Sequence, residues 1–199
     1  MDNEPWLPKP REGLPGALDR LVGPNATRAE LALQFLLPLA AAGAAVSYAA
    51  CAVGTWATLQ YIFCAILAFD VMGGIITNAS SSGKRWYHRT GRRWPHHFGF
   101  VTLHLGHLVL VSWLFLAFDL AWLAITGAYL LIASLTILST PLYLQRPIAL
   151  IMYAGSVLMA MYALAPAAGM EWFLPLFYLK LLVAHLLNEQ AYRPKACSH

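Results

Sequence analysis

Six long runs of apolar residues divide this chain, and short polar segments separate them. A transmembrane helix needs ~20 apolar residues, because the hydrocarbon core is ~30 Å thick and a helix rises ~1.5 Å per residue. Each run reaches that length, so the sequence predicts an all-α integral membrane protein, a bundle of six transmembrane helices. The predicted spans are residues 31–53, 55–77, 97–118, 120–140, 147–166 and 171–190.

The composition agrees with a bilayer as the solvent. Hydrophobic residues make up 59% of the 199 residues and charged residues 11%, against ~45–50% and ~25% in ordinary soluble domains. The formal net charge of +4 does not indicate a nucleic-acid partner, because the basic residues cluster beside the apolar runs, where a membrane topology places them.

Lysine and arginine alternate between the two sides of the predicted bundle. They precede the first span, lie in the 78–96 loop and in the 140–147 turn, and follow the last span, whereas the other three turns contain none. Cytoplasmic loops carry the excess of Lys and Arg, so both termini are predicted to be cytoplasmic. The predicted organisation is a polar, Pro-rich cytoplasmic arm (1–29), a membrane domain (30–190) and a cytoplasmic tail (191–199). The protein is predicted to be a multi-pass protein of a bacterial cytoplasmic membrane.

Ionisable residues inside the spans are the strongest functional signal. Asp70 lies in span two, His104 and His107 in span three, and His185 and Glu189 in span six, all toward the predicted cytoplasmic side. Such groups are costly in hydrocarbon and usually belong to a site or a pathway. The matching depth of Asp70, His104 and His185 predicts that these three side chains converge on one polar pocket.

Small residues beside Asp70 would allow a neighbouring helix to approach. Gly73 and Gly74 follow it by about one turn, and small residues let membrane helices pack closely. This pattern supports the predicted convergence of the polar groups on span two.

The residue types suggest metal or proton chemistry. Imidazole and carboxylate groups bind zinc, iron or manganese, so Asp70, His104 and His185 are the predicted metal ligands or relay groups. Asp70, His107 and Glu189 are the predicted catalytic groups. No HExxH motif is present, and interhelical hydrogen bonding is the alternative. The cofactor stays open, with a transition metal, zinc or iron, as the candidate; haem is disfavoured.

The loop KRWYHRTGRRW, residues 84–94, interleaves basic and aromatic residues. One interpretation is topology and contact with lipid headgroups. The other is capture of an anionic lipid or phosphorylated substrate by Asn78, Lys84, Arg85 and Arg89. The predicted partners are therefore membrane lipids and anionic headgroups at the cytoplasmic face, with the oligomeric state open.

An Asp on an early span with His on later spans is similar to membrane hydrolases of the alkaline ceramidase and adiponectin-receptor type. Those proteins have a seven-span core and a paired His motif in the last helix, where this chain has six predicted spans and the single His185. No residue role is carried over from them.

Three functional hypotheses follow from the sequence. The leading one is a small membrane enzyme with a cytoplasm-facing Asp/His site, in one form metal-dependent, that acts on a lipid or an amphipathic anionic substrate. The second is an ion- or proton-coupled transporter that uses the same cluster. The third is a noncatalytic subunit of a membrane assembly, in which the cluster is structural.

Overall fold

The computed structural model describes residues 9–189, which form helices and contain no strand. Regular α-helix ends at Tyr178 and continues as a π-helix to His185; these two segments together are called the last helix, Phe173–His185. The preceding helices are α1 (Gly13–Val22), α2 (Arg28–Ala52), α3 (Thr58–Ala79), α4 (Ser81–Tyr87), α5 (Trp94–Leu103), α6 (Leu105–Phe115), α7 (Leu120–Ser139) and α8 (Leu142–Tyr162).

Within the described residues, five helices are long and apolar enough to cross a membrane. They are α2, α3, the α5–α6 pair, α7 and α8, which confirms the predicted helical class and provides a helix of spanning length for each of the first five predicted spans. The last helix is shorter: a 6-residue α segment followed by a 7-residue π segment. At ~1.5 Å per residue that is about 20 Å, less than the hydrocarbon thickness, so the six-span count stays a prediction.

The last helix lies in the centre of the bundle, packed against α3, α7 and α8. Phe173, Phe177, Tyr178, Leu181 and Leu182 on it are at most 1% exposed. Because protein rather than lipid surrounds it, irregular backbone and a charged side chain are tolerated there.

The two short helices α1 and α4 lie together at one end of the bundle. Ser82 Oγ donates to the Val22 carbonyl at 2.8 Å, and Ser82 N–H donates to Glu30 Oε1 at 2.9 Å. Glu30 also closes a capping box with Thr27 at the start of α2. The helix α1 lies within the segment predicted as a polar, Pro-rich arm, and α4 lies within the segment predicted as a loop.

The predicted 140–147 turn is wrong in extent. The helix α8 begins at Leu142, so Pro147 lies inside it. Pro147 is the sixth residue of α8 and leaves the Tyr143 carbonyl without its usual amide donor, a loss that membrane helices tolerate. The turn between α7 and α8 is therefore only residues 140–141.

The basic residues gather at the end that holds α1 and α4. Arg28 begins α2, Lys84 and Arg85 lie in α4, and Arg146 lies in the second turn of α8. The turns at the opposite end contain no Lys or Arg. This arrangement agrees with the positive-inside pattern, and the cytoplasmic side of the basic end stays a prediction.

Candidate metal centre

Asp70, His104 and His107 form a compact cluster near the middle of the bundle. Each offers one ligand atom, and these atoms lie within 4.8 Å of one another. His107 Nε2 is 3.0 Å from Asp70 Oδ2, and the two imidazole rings stack at 4.9 Å with an interplanar angle of 8°. The predicted approach of Asp70 to His104 is therefore found, with His107 as the third member.

A break in the third span places both histidines on the cluster. The helix α5 ends at Leu103, and the amides of His104 and His107 bond carbonyls only three residues earlier, each at 3.0 Å. Such tight turns interrupt the α-helical ladder. Residues three apart share a helix face, so both imidazoles meet Asp70.

The tautomer of His104 suits a ligand. Its Nδ1–H donates to the Phe100 carbonyl at 2.8 Å, which leaves the lone pair of a neutral ring on Nε2. Metal-binding histidines are commonly oriented by this kind of bond from the other ring nitrogen.

Lys180 of the last helix completes the cluster. Its Nζ donates to Asp70 Oδ2 at 2.6 Å, and the residue is 2% exposed. A Cβ built on Gly74 would lie 2.2 Å from Lys180 Cε. Gly74 therefore leaves the space in which the lysine stem crosses α3, as predicted for a small residue that allows close approach.

A cavity of about 750 Å³ borders the cluster. Asp70, His104, His107 and Lys180 lie along it, and the Asp70 side chain is 43% exposed. This volume is in the range of small-molecule and cofactor pockets. Its other lining is largely apolar: Leu21, Val22, Phe35, Ala42, Ala65, Ile66, Phe69, Gly73, Gly74 and Phe100, with Gln34, Thr77, Asn78 and Tyr87.

His185 lies in a neighbouring polar group instead. Its Nδ1–H donates to Asn78 Oδ1 at 2.9 Å, and its Nε2 is 3.4 Å from His97 Nδ1. His88 Nε2–H donates to the His185 carbonyl at 2.9 Å, and its ring stacks on His97. The metal-ligand role given to His185 stays a prediction.

The ring of Phe100 separates the two groups. It lies 4.4 Å from the His104 ring and 4.1 Å from the His185 ring. An aromatic hydrocarbon offers neither a proton nor a ligand atom. The predicted single pocket is thus two polar groups that share one aromatic wall.

The basic side chains of the loop are engaged with the protein. Lys84 Nζ donates to the carbonyls of Ala184 at 2.8 Å and Leu187 at 2.5 Å, and burial lowers the pKa of Lys84 to about 8. The Arg89 guanidinium lies 3.9 Å from the centre of the Trp86 ring and donates to the Trp86 backbone carbonyl. Lys84 therefore satisfies carbonyls left open where the last helix ends.

The remaining predicted residues lie at the basic end. Glu189 forms an ion pair with Arg146, whose Nε donates to Glu189 Oε1 at 3.1 Å. Arg85 also has an interaction partner. Asn78 Nδ2 donates to the Gly74 carbonyl at 2.7 Å. The catalytic role of Glu189 and the substrate roles of Asn78, Lys84, Arg85 and Arg89 stay predictions.

Sequence reasoning did not include Lys180, His88 or His97 in the predicted site. The signal for Lys180 was present, because it is the one basic residue within the predicted spans. For His88 and His97 the sequence gives the position along the chain, but it does not show which residues lie beside them in the fold.

The fold and cluster define a helical membrane protein with an Asp/His group that could hold a metal ion. Comparisons with protein-family models, with curated proteins and with solved structures gave no match.

Proposed function

We propose that this protein is an integral membrane hydrolase in which Asp70, His104 and His107 bind a transition metal beside a lipid-accessible cavity. The observation that carries the proposal is the approach of the three ligand atoms to within 4.8 Å of one another. Zinc is the first candidate and iron the second.

The donor set supports a catalytic rather than a structural metal. Two imidazoles and one carboxylate are the protein ligands of several catalytic zinc sites and of non-haem iron centres, which keep positions open for water or substrate. All three residues line the cavity, so an open position would face it.

Lys180 would assist the reaction. Without a metal, its ammonium balances the Asp70 carboxylate. With a metal on Asp70, the ammonium would lie beside the reacting oxygen and stabilise the negative charge that develops there, the type of preorganised contribution that is usually large in catalysis.

The reaction would be hydrolysis of a lipid ester. Zinc lowers the pKa of its bound water to about 7, so a hydroxide would attack the carbonyl carbon. The bond from that carbon to the alkoxy oxygen would break, the alkoxide would take a proton, and a carboxylic acid and an alcohol would leave. The predicted anionic headgroups would then be lipids that meet the basic loop at the membrane surface.

Elemental analysis tests the metal. The protein is purified in mild detergent without chelators, and zinc and iron are measured per chain. We expect about one metal per chain in the wild type and a loss in His104→Ala and in Asp70→Asn, because three protein ligands is the usual number at a catalytic site.

His96→Ala is the matched control. His96 is exposed and lies outside the cluster, so this variant should keep the metal. A metal-free wild type that also fails to take up added zinc or iron would contradict the proposal, as would normal metal content in both ligand variants.

The Lys180–Asp70 pair favours a second candidate, a proton-coupled transporter. A buried ammonium and a carboxylate on different helices can exchange a proton as the helices move, and intramembrane charges often serve such relays. Proton uptake by liposomes that contain metal-free protein, abolished by Asp70→Asn, would favour this candidate over the hydrolase.

A further inference from the structure

The depth of the cluster limits which part of a lipid it can meet. Asp70 is nine residues before Ala79, the end of α3, and twelve residues after Thr58, its start. At ~1.5 Å per residue the carboxylate lies about 14 Å from one end and about 18 Å from the other. The reacting group of a substrate must therefore reach the middle of α3, a helix long enough to cross a membrane.

No described side chain that lines the cavity is an unpaired cation for a phosphate, so only the proposed metal ion would be left to bind one. Asp70 is the one acidic residue of this lining and Lys180 the one lysine or arginine, and they pair with each other. The nearest basic residue of the loop, Lys84, is buried and donates to two backbone carbonyls. A charged group without a partner is costly at this depth.

The cavity is bordered by α1 at the basic end and by exposed apolar side chains on α3. Leu21 and Val22 of α1 lie over it, and the Tyr87 hydroxyl fixes α1 by donating to the Leu21 carbonyl at 2.9 Å. Ile66 and Phe69 line it while being 54% and 39% exposed. The direct route into the cavity is from the bilayer, beside α3.

We infer that this site takes an uncharged long-chain ester, such as a diacylglycerol, that enters sideways from the bilayer, rather than a phosphorylated lipid. The identity of this lipid as the substrate rests on the proposed function. The binding preference follows from depth, lining and access. The predicted substrate, a lipid or an amphipathic anionic molecule, is thereby narrowed to an uncharged lipid.

Photo-crosslinking with a matched pair of probes tests the preference. Diacylglycerol and phosphatidic acid with the same diazirine-bearing acyl chain are each added to protein in nanodiscs, and labelled peptides are mapped. We expect the neutral probe to label peptides of α3 and α5 about tenfold more, a ratio that corresponds to ~1.4 kcal/mol.

A phenylalanine placed inside the cavity should block this labelling. Ala65 lines the cavity on α3, whereas Ala128 is exposed on α7 and lines none of the described cavities. We expect Ala65→Phe to reduce neutral labelling about tenfold, as loss of ~1.4 kcal/mol of binding would, and Ala128→Phe to leave it unchanged. Ile66→Trp, at a partly lipid-exposed position, is the second variant if Ala65→Phe does not fold.

Equal labelling by the two probes, or labelling that survives both cavity variants, would overturn the inference. Metal content measured on the same samples separates this result from the proposed function. If the protein binds metal but does not prefer the neutral probe, the inference about the lipid is refuted and the proposed metal centre is not. Metal-free protein that still prefers the neutral probe would refute the metal centre and leave the lipid site standing.

Discussion

The ion pair of Asp70 and Lys180 joins two side chains with unequal surroundings. The Lys180 side chain is 3% exposed and has Asp70 as its hydrogen-bond acceptor, whereas the Asp70 side chain is 43% exposed and also bonds His107. Removing the carboxylate charge leaves a buried ammonium without an anion. Removing the ammonium leaves a carboxylate that still has an imidazole and faces the cavity.

The two single substitutions should therefore have different costs. Breaking a buried ion pair by removing one partner costs ~3–5 kcal/mol, and we expect Asp70→Asn to fall in that range. Lys180→Met should cost only about 1–2 kcal/mol, the value of a lost hydrogen bond to a charged group. The double variant should be more stable than Asp70→Asn alone, because no uncompensated charge remains.

Unfolding free energies in mixed micelles measure these effects. Chelator-treated protein is used for every variant, so that metal binding does not add to stability. Lys180→Met at least as destabilising as Asp70→Asn would refute the argument from unequal burial. A double variant less stable than both single variants would refute the pairing itself.

Five other substitutions have expected outcomes. Gly74→Ala should destabilise the protein by ~1–3 kcal/mol in the same assay by overpacking the lysine stem, while Gly73→Ala should be near neutral, since its Cβ would meet only Pro38 at 3.5 Å. Lys84→Met should lower the thermal unfolding temperature, at a cost of about 2–3 kcal/mol for two lost bonds to carbonyls. Burial lowers the pKa of His88 to about 4, below its unfolded value of about 6.5. Stability should therefore be lost as the pH falls from about 6.5 to about 4, and His88→Gln should flatten that loss in a pH series of unfolding temperatures. A cysteine at exposed Thr90 should react with an impermeant thiol reagent only from the cytoplasmic side.

The helical class and five helices of membrane-spanning length were predictable from sequence, and the depth of the polar residues only in part. Apolar length defines a span, and counting residues from its end gives depth. The grouping of the polar residues was only partly predictable, because depth does not give the rotation of a helix or its neighbours. His107 bonds Asp70, whereas His185 bonds Asn78, which lies eight residues further along α3 and therefore about 12 Å nearer the basic end.

The last helix shows a second limit of the sequence. Hydropathy predicts a span over 171–190, but it does not separate a helix that faces lipid from one that faces protein. The structure places this segment in the centre of the bundle and widens its second half into a π-helix. Lys180 belongs to that half. Its charge would be costly on a helix that faces lipid, and it is tolerated because the residue lies in the centre of the bundle and pairs with Asp70.

Irregular backbone and site residues coincide at two places in the bundle. The third span breaks at His104, and the last helix becomes π-helical from Leu179, next to Lys180. Both departures weaken the regular hydrogen-bond ladder, which in a membrane is tolerated where protein or a cavity covers the backbone. Irregular helical turns of these kinds are frequent at functional sites. Because they occur beside the one cavity wall that carries a carboxylate, two imidazoles and an ammonium, backbone and side chains independently indicate the same place for chemistry.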